Sequence, residues 1–228
     1  MYFIWDPTYI LVIIGAIISG LASLNVSSTF NKYSKYLNSR GMTAEQCASE
    51  ILRRSGINDV RIERTRGKLT DHYSPKEKVL RLSESVYGST SVAALGVAAH
   101  ECGHAIQHQV GYAPLKLRSY SVPMANVGSY LAWPVVIIGL IMGNIGLARI
   151  GVVLFTLVVL FQLITLPVEF NASRRAIGIL SDSGMLNVDE TSGAKKVLFA
   201  AAMTYVAALF TVILQLLRLV LLTRNRKD

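Results

Sequence analysis

Long runs of uncharged apolar residues constrain this chain more than any other feature. Residues 7–26 form the first run, long enough to cross about 30 Å of hydrocarbon at a rise of about 1.5 Å per residue. Tyr2, Trp5 and Tyr9 sit at its start, where an aromatic belt is expected. No Lys or Arg precedes the run, and Asp6 stands there instead, so it reads as an uncleaved anchor rather than a signal peptide. A second run covers 122–147 and a third 150–168, with Gly143, Asn144, Gly146 and Arg149 between them. Two spans joined by a short glycine-rich break predict a membrane hairpin. The third run offers only Thr156, Gln162 and Thr165 as polar residues, too few for the wet face of a soluble core helix. The last run, 197–222, contains Gln215 and Arg218 and is closed by Arg224, Arg226 and Lys227. Its alanine-rich beginning, 197–205, suits a soluble domain, and only its second half need lie in lipid. The expectation is a predominantly α integral membrane protein with about four transmembrane helices.

Composition removes the competing classes. Charged residues are 16% of the chain and hydrophobic residues 52%, whereas a soluble domain carries about 25% charged residues. The chain is too apolar to be disordered, and two cysteines, Cys47 and Cys102, cannot make a disulfide scaffold. The net charge of +9 accompanies the apolar runs, so it points to anionic lipid and membrane orientation and not to nucleic acid.

The polar region, residues 31–120, predicts a small α+β domain. In 43–55, Ala44, Cys47, Ala48, Ile51 and Leu52 fall at helical spacing, with Thr43 as N-cap and Gly56 as the stop. Val60, Ile62 and Glu63, then 68–73, then 78–82 read as two or three short strands, and Ser74-Pro75-Lys76-Glu77 as a turn.

Residues 91–109 carry the chemistry. They contain His100-Glu101-Cys102-Gly103-His104, which fits H-E-x-x-H. Residues four apart on a helix lie about 40° apart in azimuth and about 6 Å along the axis, so two imidazoles at that spacing converge on one tetrahedral Zn²⁺. Glu101, beside the first imidazole, is placed to act as general base on water and to return the proton to a leaving amine. The apolar residues before His100 predict that this helix is buried. His108 lies about 12 Å from His100 along the axis, too far to share its ion, and belongs at the rim. Cys102 points about 200° away and reads as a core residue. The third ligand must come from elsewhere. Candidates are His72 and Glu169, the latter because a carboxylate at the end of an apolar span, before a new polar helix, is an odd place for an idle charge.

The stretch from Asp71 to His108, together with the Leu166-Pro167-Val168-Glu169-Phe170-Asn171-Ala172-Ser173-Arg174-Arg175 segment, resembles the YugP-type family of membrane zinc metallopeptidases over most of the chain. In layout it is also similar to HtpX-type membrane proteases. The resemblance implies a zincin-like (gluzincin) α+β catalytic domain with a small sheet and one Zn²⁺ per chain. By position it implies His100 and His104 as ligands, Glu101 as base and Glu169 as third ligand. In the wider group an Asp often follows the third ligand by four residues and supports a His. Here that position is Ser173, and Asn171 and Asp182 are alternative supports. The resemblance also implies a hairpin from 71–73 and 79–83, whose edge strand pairs with substrate backbone in related proteases. Tyr205, His72 and the arginines near Glu169 are candidates for stabilising an oxyanion.

The domain reading is an anchor (1–28), a zincin-like catalytic region (29–121), a transmembrane hairpin (122–168), a third-ligand segment (169–196) and a C-terminal apolar helix with a basic tail (197–228). Lys32, Lys35, Arg40, Arg53 and Arg54 follow the first run, Lys116 and Arg118 precede the second, and Arg174 and Arg175 follow the third. This bias puts the polar region and Glu169 on the cytoplasmic side of the cell membrane. Four full crossings would leave the basic tail on the other side, against the same rule. Three functions compete: a membrane-anchored metalloendopeptidase acting on protein or peptide substrates, membrane proteins among them; a site-2-like intramembrane zinc protease; and a non-catalytic membrane protein with a structural zinc site. Only about nine apolar residues precede His100, too few to cross a bilayer, and a structural site has no use for Glu101. The oligomeric state is not legible in the sequence.

Overall fold

The computed structural model describes residues 6–224; Tyr2, Trp5, Arg226 and Lys227 lie outside the described residues. Along the chain come α1 (Tyr9–Tyr33), α2 (Ala44–Arg54), β1 (Arg61–Thr65), β2 (His72–Ser74), β3 (Val79–Ser83), α3 (Val92–Gln109), α4 (Ala113–Ile141), α5 (Ile145–Asp182) and α6 (Val188–Arg224). The protein is mostly helical with one three-stranded sheet. Helices α1, α4, α5 and α6 are each long and apolar enough to cross a membrane, which makes this a multi-pass membrane protein.

Two compact units divide the chain. The first takes Met1–Ser23, Leu117–Leu166 and Met203–Asp228. Here α4 and α5 pack through small residues: a Cβ on Gly151 would stand 2.7 Å from the Ala132 carbonyl oxygen, so only glycine allows that approach, as in membrane helix pairs. Phe155, Val136 and Leu219 are buried among them. Between α1 and α6, Thr211 Oγ1 lies 2.9 Å from Ser19 Oγ and donates to the Gly15 carbonyl at 3.1 Å. Further along, Arg218 pairs with Asp6 at 3.2 Å. The two helices therefore run antiparallel, and the last turns of α6 lie beside the start of α1.

The second unit takes Leu24–Lys116 and Pro167–Ala202. Its sheet has the order β1-β3-β2, with β3 central, parallel to β1 and antiparallel to β2. The expected capping of α2 is present: Thr43 accepts from the Gln46 amide, and the Gln46 side chain returns the bond. Gly56 follows with φ +69°, a left-handed conformation that glycine adopts without strain. Ile51, Leu80, Leu82 and Leu95 are fully buried and join α2, the sheet and α3 in one core. Ser91 caps α3 by accepting from the Ala94 amide at 3.2 Å.

Two expectations need correction. The break between the second and third apolar runs is narrower than 143–149. Gly143, at φ +68°, follows the end of α4, and Asn144 Oδ1 accepts from the Leu147 amide at 3.0 Å to cap α5, so Gly146, Leu147 and Arg149 are already helical. Nor does a new helix begin at Glu169. Helix α5 continues through Pro167 to Asp182, because a proline removes one hydrogen bond from an otherwise long ladder. Attraction to a helix N-terminus is thus no reason for a carboxylate at Glu169.

Candidate metal centre

The second unit builds the candidate site from α3 and the polar end of α5. His100 and His104 lie one turn apart on α3, their rings nearly perpendicular at 85° with centroids 4.7 Å apart. Glu169 comes from α5 and is 2% exposed. Its Oε2 stands 3.3 Å from His100 Nε2 and 3.5 Å from His104 Nε2. Donors about 2.0–2.2 Å from a tetrahedral Zn²⁺ are separated by roughly 3.3–3.5 Å, so these spacings fit one ion. Gly103 sets the approach of the two helices: a Cβ there would stand 2.7 Å from the Ala172 carbonyl oxygen.

Behind the imidazoles, a hydrogen-bond network fixes which ring nitrogen faces the carboxylate. Gln107 is fully buried. Its amide nitrogen donates to the Val168 carbonyl at 2.8 Å and to Asn171 Oδ1 at 3.0 Å. With its donors used, its oxygen faces His104 Nδ1 at 3.0 Å and can only accept. Nδ1 of His104 therefore carries the proton, leaving the Nε2 lone pair directed at Glu169 Oε2. Asn171 Oδ1 also accepts from Arg175 Nε at 2.9 Å. On the other ring, Ser173 Oγ is 3.1 Å from His100 Nδ1. Such partners orient the ligands of metal sites.

An anion and two imidazole nitrogens facing one point require positive charge between them, either a proton or a metal ion. The state of His104 reflects this: burial, the largest single influence, opposes its charged form, but the hydrogen bonds to Glu169 and Gln107 and the charges of Glu101 and Glu169 together outweigh it and hold the imidazole pKa above its ordinary value. The donor set, two nitrogens and a carboxylate oxygen, suits Zn²⁺. Glu101, next to His100 on α3, is 8% exposed.

Other residues singled out by the sequence stand apart from this cluster. His72 is exposed on β2, with Nδ1 2.9 Å from the Thr70 carbonyl. His108 is exposed one turn beyond His104, and its Nδ1 is 2.9 Å from the Tyr73 hydroxyl. Asp182 is exposed at the end of α5. Cys102 points toward the Ala48 carbonyl. Burial pushes the Cys47 thiol up to about 12 and that of Cys102 well above its ordinary value, so neither is a nucleophile near neutral pH. Sequence reasoning missed Gln107, although its spacing of three from His104 puts both on one helix face.

Comparison with known proteins places these residues in context. Residues 8–224 match the model of a family described as "Putative neutral zinc metallopeptidase". The chain is 46% identical over 207 residues to "Putative membrane protease YugP" of Bacillus subtilis (strain 168), covering 91% of this chain and 92% of that protein. No solved structure matches.

Proposed function

The chain belongs to the family of neutral zinc metallopeptidases so described, and from that premise we propose that it is a membrane-anchored zinc metalloendopeptidase with a gluzincin-type site facing the cytoplasm. The convergence of His100 Nε2, His104 Nε2 and Glu169 Oε2 within 4.8 Å of one another carries this reading. One Zn²⁺ per chain would be held by those three groups. When bound, zinc supplies Lewis acidity, lowering the pKa of water and polarising a carbonyl.

The protein's own residues supply the rest. Gln107 and Ser173 hold the two imidazoles in orientation. Glu101 takes a proton from the attacking water and delivers it to the leaving amine nitrogen as the peptide bond breaks. Substrates are peptides or unfolded stretches of protein, membrane proteins among them. Two observations favour a site outside the hydrocarbon over an intramembrane one. Helix α3 is not among the four helices long and apolar enough to span, and its apolar residues are buried in a core shared with α2 and the sheet. The basic residues flanking the apolar runs support the cytoplasmic side, the bias of the larger polar segments outweighing that of the tail.

The test compares wild type with Glu101→Gln, both purified as full chains, for zinc by elemental analysis and for hydrolysis of a quenched peptide library. The variant is expected to keep stoichiometric zinc and lose kcat by about 10²–10⁴-fold, the range for removal of a general base. Full turnover by the variant, or a zinc-free wild type, would refute the reading.

A further inference from the structure

The second unit contains a cavity of about 560 Å³ between the C-terminal part of α1 and the N-terminal part of α6, lined by none of the three candidate ligands. Asn25, Thr29 and Lys32 line one side, and Ser192, Lys195 and Lys196 the other. On α1 these residues recur at intervals of four and three, which puts them on one helix face. The full lining holds three lysines and no carboxylate. The carboxylates of the first turn of α6, Asp189 and Glu190, lie outside it. Glu190 instead accepts from the Ser39 and Asn187 amides at 2.7 and 2.9 Å. Lys32 Nζ rests 5.6 Å from the Tyr33 ring centroid. Among the described residues, none of the three lysines is paired with a carboxylate.

Position along the helices identifies the ligand. The apolar run of α1 ends at residue 26, and Lys32 is the first basic residue after it. On α6, Lys195 and Lys196 immediately precede the run that starts at 197. Both helices thus present ammonium groups and hydroxyls where their apolar lengths stop, at headgroup depth. Phe199, 59% exposed, and Ala200 complete the lining on the α6 side, an apolar surface suited to acyl chains. A free phosphate would gain nothing from that apolar wall. We propose that this cavity binds the headgroup phosphate of an anionic phospholipid, whose acyl chains run along the apolar faces of α1 and α6.

The full chain, purified in detergent, can be titrated with phosphatidylglycerol or phosphatidylcholine and the bound lipid read by native mass spectrometry. Wild type is expected to prefer phosphatidylglycerol, and a Lys32→Gln, Lys195→Gln, Lys196→Gln variant to bind it tenfold or more weakly, given on the order of fivefold per lysine near a charged surface. A control variant with three exposed cations removed elsewhere (Arg40→Gln, Arg66→Gln, Lys76→Gln) should bind as wild type does. If the triple variant fails to fold, Lys195→Gln alone carries the comparison. Equal retention of both lipids, or equal loss in the control, overturns the proposal. Protection of the folded chain by inorganic phosphate with no retained phosphatidylglycerol overturns the lipid assignment in favour of a free-phosphate site.

Discussion

Ile17, Leu21 and Val153 of the first unit are more than half exposed, at 56%, 62% and 66%, whereas Ile51, Leu80 and Leu95 of the second are fully buried. The buried polar residues differ in a more instructive way. In the first unit, Thr165 and Thr223 donate to carbonyls one turn back in their own helices, Phe161 at 2.8 Å and Leu219 at 3.0 Å. Each satisfies itself locally and asks nothing of a neighbour. In the second unit, Gln107 and Ser173 reach between α3 and α5, and Glu169 faces two imidazoles. A polar group buried in a local bond is consistent with any helix in lipid. One held by partners on another element is costly to bury and rarely idle. The contrast sets the groups around Glu169 apart from Thr165 and Thr223.

The strongest way to break this comparison is to remove Glu169. A zinc peptidase site takes three protein ligands, and two imidazoles from one helix are not enough. Glu169→Ala is expected to lose both bound zinc and activity, unlike Glu101→Gln, while His72→Ala keeps both. Elemental analysis of the purified variants decides it. Full zinc in Glu169→Ala with depletion in His72→Ala would transfer the third ligand to β2 and leave Glu169 a buried charge of another kind.

What the sequence could and could not foretell follows the same division between local and distant bonds. The α2 cap is a local exchange between Thr43 and Gln46, and the facing of His100 and His104 follows from helical spacing, so both were legible. The four long apolar helices were legible from length. The parallel pairing of β1 with β3, Arg61 opposite Val79, was not, because strands this short carry no pattern that names a partner. Gln107 meets Val168 and Asn171 across 61 and 64 residues, and no local signal records that contact. Replacement of the group's usual Asp by Ser173 questioned the support of a His. A hydroxyl 3.1 Å from His100 Nδ1 can accept the same ring proton over a shorter reach, which composition could not reveal.

Gln107 sharpens the comparison at a smaller scale, because it touches no ligand oxygen and acts only through His104. Gln107→Leu keeps the volume but removes the acceptor for His104 Nδ1 and the donor to Val168 and Asn171. The ring is then free to turn or change tautomer. Zinc affinity measured by chelator competition is expected to fall about 10–100-fold, the usual cost of losing such a partner, and Gln107→Glu should recover part of it by restoring the acceptor. Unchanged affinity in Gln107→Leu would mean that the network packs helices without orienting the ligand.

The smallest effect belongs to a charged cross-helix contact of the first unit. Arg218 Nη2 lies 3.2 Å from Asp6 Oδ2, and the guanidinium stands 5.2 Å from the Tyr9 ring centroid and 5.6 Å from that of Trp133. By the rule drawn above, such a group should be functional, and an arginine within an apolar run is a functional candidate in its own right. Its place argues otherwise. Asp6 precedes the first turn of α1 and Arg218 lies near the end of α6, a depth at which a long basic side chain reaches the interface at little cost. Aromatic rings beside it are what an interfacial belt provides. The pair is then a clasp between the start of α1 and the end of α6, worth about 1 kcal/mol by the standard of polar contacts between membrane helices. A double-mutant cycle with Asp6→Asn and Arg218→Gln, read from thermal melts in detergent, should give a coupling of that size with zinc content and kcat unchanged in all three variants. Loss of zinc in Arg218→Gln would show that the first unit shares in the chemistry, and the division between locally satisfied and site-building polar groups would no longer follow the boundary between the units.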